Sequence, residues 1–190
     1  GLFRIKHKKN FLLIDIDKPP EKKFSRSYQS GPLSFEFFLD GIKIITNCGF
    51  GKHISKKAEL LSRLTACQST LTINDTSITK FEKNEMINKV FGNSIQNSFK
   101  SFDFSSTNES NLIGCSVSSN GYEKRFGCTH KREIYFDKEN NCLKGIDHIF
   151  KTKDGYPIRY AFRFHVNPEL SVVKTMSGNS ALIQISKNKS

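Results

Sequence analysis

The side chains best suited to chemistry in this 190-residue chain lie in residues 158–166. Alternation along an extended segment places Arg159, Ala161, Arg163 and His165 on one side and Ile158, Tyr160, Phe162, Phe164 and Val166 on the other. Two guanidinium groups and an imidazole in a strip suit a carboxylate or sulfate, because each Arg presents a planar fork of donors. The same pattern also describes an exposed sheet face whose cations pair across to Asp or Glu. Five cysteines, Cys48, Cys67, Cys115, Cys128 and Cys142, show neither Cys-x-x-Cys nor Cys/His ligand spacing. They argue against a zinc ribbon, define no disulfide framework, and read mostly as small buried strand residues. No Ser/His/Asp set can be assigned by spacing. Gly49-Phe50-Gly51 lacks both the Lys-Ser/Thr and the strand-loop-helix context of a phosphate loop.

The elements that must position these groups are read from hydrophobic period. In residues 31–49, Leu33, Phe35, Phe37 and Leu39 share one face, Ser34, Glu36 and Phe38 the other, and Asp40-Gly41 separates this run from the β-branched residues 42–46. An Asp-Gly pair between two such runs predicts a tight hairpin, because both turn residues must accept positive φ. Residues 2–5 and 11–16 read as strands, and residues 51–63 break the β pattern as one short helix or structured loop around 52–64. Residues 70–73 return to strand with Asn74-Asp75 as the turn, whereas 82–111 is polar and poorly periodic, with irregular strands and loops. Further strands are expected at 115–118, 129–136, 143–150, 158–166 and 182–186. Turn signals accompany them at Asn120-Gly121, Asn140-Asn141, Asp154-Gly155 and Gly178-Asn179. Regularly spaced strands of this kind predict an all-β fold, an antiparallel β-sandwich in one domain.

Thirty basic against eighteen acidic residues leave a net charge of +12, which draws polyanions, whether nucleic acid, acidic polysaccharide or an anionic membrane face. The basic residues are scattered in ones and twos, and no aromatic-plus-basic surface motif of an RNA-binding fold accompanies them, so nucleic acid is not the expected partner. No run of about 18 apolar residues is present, which excludes an apolar membrane-spanning helix. The chain has no targeting signal and no initiator Met and opens directly into a strand, so it reads as a piece of a longer protein, cut at both ends.

Six segments carry a resemblance: SRSYQSGPLSFEF, IITNCG, ACQSTLTIND, SNGYEKRFGCTHKREIYF, LKGIDHI and RFHVNP. In this order, over about Phe11 to Pro168, they resemble the C-terminal β-sandwich (supersandwich-like) domain of heparinase II/III-like polysaccharide lyases. The resemblance implies a cleft formed with an N-terminal helical toroid, absent from this chain, and an acidic polysaccharide bound in it. It implies cleavage by β-elimination, in which a base removes the proton α to a uronate carboxylate and the glycosidic oxygen leaves from C4. The groups for that step come mainly from the toroid, so no catalytic residue is assigned here. A periplasmic or cell-envelope location is likewise implied.

The resemblance also locates a structural metal site in the better-known lyases, held by a loop His, a strand acid and a later His. Here those positions are Gln29, Asn47 and Gln68. Amides are poor ligands beside imidazole, thiolate and carboxylate, so neither a metal nor another cofactor is expected. The three can hydrogen-bond one another or a sugar hydroxyl, or form a satisfied polar core. His130 and Arg132 occupy the family's His-x-Arg strand position, for which the resemblance implies a cleft contact, while a lone His on a strand also reads as a packed or surface residue. The expected substrate contacts are therefore Gln29, Gln68, His130, Arg132, Arg159 and Arg163. The alternative function is a non-catalytic carbohydrate-binding or structural sandwich.

Overall fold

The computed structural model of the protein describes residues 1–152 and 158–185. Along them run strands β1 (Leu2–His7), β2 (Asn10–Asp15), β3 (Phe35–Leu39), β4 (Ile42–Thr46), β5 (Leu71–Ile73), β6 (Ser101–Asn108), β7 (Leu112–Tyr122), β8 (Cys128–Asp137), β9 (Cys142–Lys151), β10 (Tyr160–Phe162), β11 (His165–Val166), β12 (Ser171–Lys174) and β13 (Ala181–Gln184). Three short helices accompany them, α1 (Lys56–Ser62), α2 (Glu85–Phe91) and α3 (Glu123–Phe126). Two larger sheets form, ordered β1-β2-β3-β4-β11 and β6-β7-β8-β9, with the separate pairs β5-β10 and β12-β13. Every pairing is antiparallel.

Sequence period explains the layering. The hairpin β3–β4 turns at Asp40 (φ 50°) and Gly41 (φ 84°), both in the left-handed region that a tight hairpin turn needs. Phe35 and Phe37 point inward and are buried, while Phe38 on the outer side meets Phe11 of β2 edge-on, ring centroids 5.8 Å apart. Ile5, Leu12, Ile14, Leu33, Phe35, Phe37 and Ile44 from one sheet and its entry loop pack on Cys115, Val117, Ile134 and Phe136 from the other. This is the expected sandwich core. A second cluster, Leu71, Ile73, Ile78, Phe99, Tyr122 and Cys128, backs β5.

The short helix expected around 52–64 forms, while other local expectations change. Residues 51–63 form a short 3-10 turn (Gly51–His53) and then α1, whose N-terminus is capped by Ser55 Oγ accepting from the Ala58 N–H at 3.0 Å. Helix α2 lies in the stretch read as irregular. It is capped by Asn84 Oδ1, which accepts from the Met86 and Ile87 N–H groups, and its apolar residues Met86, Ile87, Val90 and Phe91 fall at helical spacing although none is buried. Asn120-Gly121 sits inside β7, where a register shift accommodates it without a turn. Residues 158–166 are not one strand: β10 pairs with β5, β11 pairs with β4, and the chain crosses between sheets at Arg163, whose N–H donates to Thr70 O. Tyr160 and Phe164 are consequently half exposed, at 57% and 50%, so the apolar side of this run is not deep. Strand β13 finds its partner in the preceding β12. The expected Asp154-Gly155 turn and the end of the last strand at Ser186 lie outside the described residues. No helix among the described residues is long and apolar enough to cross a membrane.

Ile14 is fully buried at the centre of the main core. Ile14→Ala should lower stability by about 2–5 kcal/mol in urea titration, whereas Leu182→Ala on the exposed β13 should change it by less than about 0.5 kcal/mol.

Candidate substrate-binding site

Alternation along β8 buries His130 and Arg132 on the same face as Ile134 and Phe136. Register sets Arg132 directly opposite Asp147 of β9. Arg132 Nε donates to Asp147 Oδ1 at 2.7 Å and Nη2 to Oδ2 at 3.0 Å, a two-pronged pair. Nη1 reaches past the sheet, donating to Leu33 O at 2.7 Å and Ser69 O at 3.0 Å. The rings of Phe35 and Phe164 flank the guanidinium at 5.3 and 5.9 Å. Leu33 has φ 58°, an uncommon conformation for this residue, and its N–H donates to Asp15 O at 3.0 Å. His130 completes the cluster, Nε2 donating to Asp147 Oδ1 at 2.7 Å. Burial pushes the Asp147 carboxyl up, but hydrogen bonds from His130 and Arg132 outweigh it and hold the group at about 2. Burial lowers the His130 pKa despite the opposing bond to Asp147, so the imidazole is neutral at pH 7.

The three amides lie in adjacent segments, each bonded to main chain. Gln29 Nε2 donates to Gly49 O at 3.0 Å, Asn47 Oδ1 accepts from the Ser69 N–H at 2.7 Å, and Gln68 Nε2 donates to Ser62 O at 2.9 Å. Gln68 is buried, and its stem packs on Gly31, where an added Cβ would sit 2.8 Å from Gln68 Cγ. These amides act as staples between loops. As a donor set they do not fit a metal, and among the described residues no three His, Cys, Asp or Glu side chains converge as one would require.

Arg159 and Arg163 are the expected site residues that reach the surface together. Asn74 and Asp75 both take positive φ in the turn after β5, presenting Asp75 to the strip. Arg163 Nη2 donates to Asp75 Oδ1 at 3.2 Å, and Arg159 Nη2 bonds Oδ2 of the same carboxylate. Arg163 also donates to Thr72 Oγ1. The Asp75 carboxyl is held below its ordinary value by Arg163 and then Arg159. His165 does not join them: its Nε2 donates to Ala66 O at 3.0 Å, on the other side of the crossover. The same run lines a shallow recess of about 470 Å³ formed by Asp147, Ile149, Lys151, Ile158, Tyr160 and Phe162. The expected set is thus divided. His130, Arg132 and Gln68 are interior, Gln29 is half-buried, and Arg159 and Arg163 share one exposed anion. Asp147 and Asp75, the partners around which these groups organise, stand in quoted segments of the sequence but carry no spacing signal, since both pairings are long-range.

The domain is thus an antiparallel β-sandwich with a buried Arg-Asp-His cluster and, near the surface, an arginine pair that shares Asp75. The sequence matches the family described as heparinase II/III-like, C-terminal, over residues 1–190, and the chain belongs to that family. Two solved structures of heparan sulfate lyase HepC from Pedobacter heparinus, one of a mutant and one not so described, resemble it in fold. Their TM-scores are 0.68 and 0.66, each at 16% identity over 95% of this chain. This chain spans 25% of the length of each of those chains. Comparison with curated proteins gives no match.

Removing Arg132 strands Asp147 and two carbonyls. Arg132→Met should cost about 3–5 kcal/mol at pH 7 by chemical denaturation. Because the folded Asp147 pKa of about 2 lies below its ordinary 3.8, the pair's contribution is complete above about pH 4 and is lost as pH falls toward 2. The gap between wild type and Arg132→Met should therefore narrow over that window. His130 acts in the same sense at higher pH, since its pKa lies below 6.5 and unfolding takes up a proton as pH falls past that value. Asp15, pushed up to about 6 by burial, opposes it between about pH 6 and 4 by favouring the fold as its carboxyl protonates.

Proposed function

We propose that this chain is the β-sandwich wall of a polysaccharide lyase that cleaves a uronate-containing acidic polysaccharide by β-elimination, and that Arg159 and Arg163 hold the substrate's anions. The observation that carries the reading is the shared carboxylate. Two guanidinium groups, Arg159 exposed and Arg163 half-buried, converge on Asp75, so the strip retains one positive charge that its own partner does not cancel. A sugar carboxylate or sulfate can exchange with Asp75 for the two planar forks. On the other side of the same run, half-exposed Tyr160 and Lys151 line the shallow recess, where the Tyr160 ring can meet a sugar. The net charge of +12 adds long-range attraction for a polyanion. In this reading the proton-abstracting groups lie in the remainder of a longer protein, whose relatives in fold are four times this length.

A second reading, a non-catalytic carbohydrate-binding sandwich, is favoured by the neutral amides at Gln29, Asn47 and Gln68 and by the interior engagement of His130 and Arg132. The longer protein separates the two on a panel of acidic polysaccharides that includes heparan sulfate. Growth of unsaturated-uronate absorbance supports the lyase, and binding with no such product supports the binder.

The site itself is tested by affinity. Arg159→Ala with Arg163→Ala should weaken heparan sulfate binding at least about tenfold and flatten its salt dependence. Asp75→Asn should strengthen binding by releasing both guanidinium groups. Unchanged affinity in the double variant would remove the strip from the site.

A further inference from the structure

The end of β4 and the turn before β5 bring together three groups that the polysaccharide site does not use. Cys48 follows β4, and its N–H donates to the carbonyl of Cys67, which sits in the 3-10 turn Thr65–Cys67, at 3.0 Å. A main-chain bond between two residues sets their Cα atoms within the span a disulfide bridges. Both are free thiols, Cys48 exposed and Cys67 half-buried. His165 of β11 stands over them because β11 pairs with β4, with His165 opposite Thr46. Its N–H donates to Ser69 Oγ at 2.9 Å and its Nε2 to Ala66 O at 3.0 Å, which fixes the ring and leaves Nδ1 as the unprotonated nitrogen. Nδ1 lies 3.7 Å from Cys48 Sγ, positioned to accept the thiol proton.

The geometry points to Cys48 and Cys67 as a thiol-disulfide pair, with His165 as the base that activates Cys48, closing a covalent clasp between the end of β4 and the 65–67 turn. This rests on main-chain and side-chain placement and is independent of the polysaccharide reading. The oxidant is a small-molecule disulfide. Cys48 passes its proton to His165 Nδ1, its sulfur attacks one sulfur of oxidised glutathione, and the S–S bond breaks to release one glutathione thiolate, which takes up a proton. Cys67 then attacks the Cys48 sulfur of the mixed disulfide, losing its proton to solvent and displacing the second glutathione, which is protonated in turn. Two protein thiols and one glutathione disulfide become one protein disulfide and two glutathione thiols. Burial and then the neighbouring Cys67 raise the Cys48 thiol, so it rests protonated and depends on His165 for attack. The other three thiols lack this arrangement. Cys115 and Cys128 are buried in strands, and Cys142 is exposed on β9 with its thiol donating to Leu143 O.

The clasp would hold the same segments that the amides staple. Gln29 reaches Gly49 and Asn47 reaches Ser69, on either side of the two sulfurs. Oxidation therefore stiffens this rim through a bond that reduction removes.

The test is incubation of the protein with oxidised or reduced glutathione, followed by intact-mass measurement, peptide mapping and thermal melting. Oxidation should remove two hydrogens, join the Cys48 and Cys67 peptides, and raise Tm on the order of 5–10 °C. Cys48→Ser and Cys67→Ser should each abolish that rise, while Cys142→Ser keeps it. His165→Gln should form the same bond several-fold more slowly. No mass loss, a lasting glutathione adduct on Cys48, or a disulfide that maps to any other pair would overturn the proposal. An unchanged rate in His165→Gln would overturn the role given to His165.

Discussion

The structure depends on one guanidinium. Arg132 is almost wholly removed from solvent, and an arginine so placed must satisfy its donors or the fold that buries it is unstable. It does so by joining three pieces of chain that share no sheet edge. Asp147 comes from β9, the Leu33 carbonyl from the entry to β3, and the Ser69 carbonyl from the approach to β5. The left-handed backbone at Leu33 follows from this constraint: an otherwise unfavourable φ is held on one side by Asp15 O and on the other by Arg132. The two larger sheets and the β5-β10 pair are thereby held in one arrangement by directional bonds, where apolar packing alone would allow sliding.

His130 gives the same cluster its second function. Asp147 accepts from both Arg132 and His130, so a single carboxylate neutralises the buried cation and fixes the imidazole tautomer. A neutral His130 leaves the set with one positive and one negative charge, which the apolar surroundings of Phe35, Phe162 and Phe164 tolerate. The residues expected at the polysaccharide surface from the family's His-x-Arg position are here the interior bracket that holds the surface in place.

How much of this was legible in the sequence depends on range. Period-2 patterning identified the β3–β4 hairpin, and the same alternation runs through β8, but His130 and Arg132 were read from the resemblance as substrate contacts, whereas they share the buried face of Ile134 and Phe136. Nothing local names Asp147 as their partner, because cross-strand register is set by the turn at residues 138–141 and by the core. The strip at Arg159 and Arg163 was legible as a pair, and so was the alternative that it meets a carboxylate. The division of the run between two sheets was not, since alternation continues through a crossover unchanged. Helix α2 lies between the cap Asn84 and Gly92 (φ 68°) and has Met86, Ile87, Val90 and Phe91 at helical spacing, but at seven residues within a polar stretch this pattern is too short to have been read as a helix. The cysteines were read as buried small residues. That holds for Cys115 and Cys128 and fails for Cys48 and Cys142, since Cys48 follows the end of β4 and Cys142 takes an exposed position on β9.

The Arg132 cluster and the Asp75 strip are two sets of charges with different duties. Inside, Arg132 meets Asp147 and the cluster is self-cancelling, so it presents no field to a ligand. Outside, the acids are outnumbered, and Asp75 must serve two arginines at once. An exposed pair of this kind contributes little to stability, because solvent screens it and long side chains lose freedom in making it. A carboxylate that adds little to the fold is one that a substrate anion can displace at small cost. Under the function proposed above, the strip at Arg159 and Arg163 exchanges an internal anion for an external one without disturbing the bracket beneath.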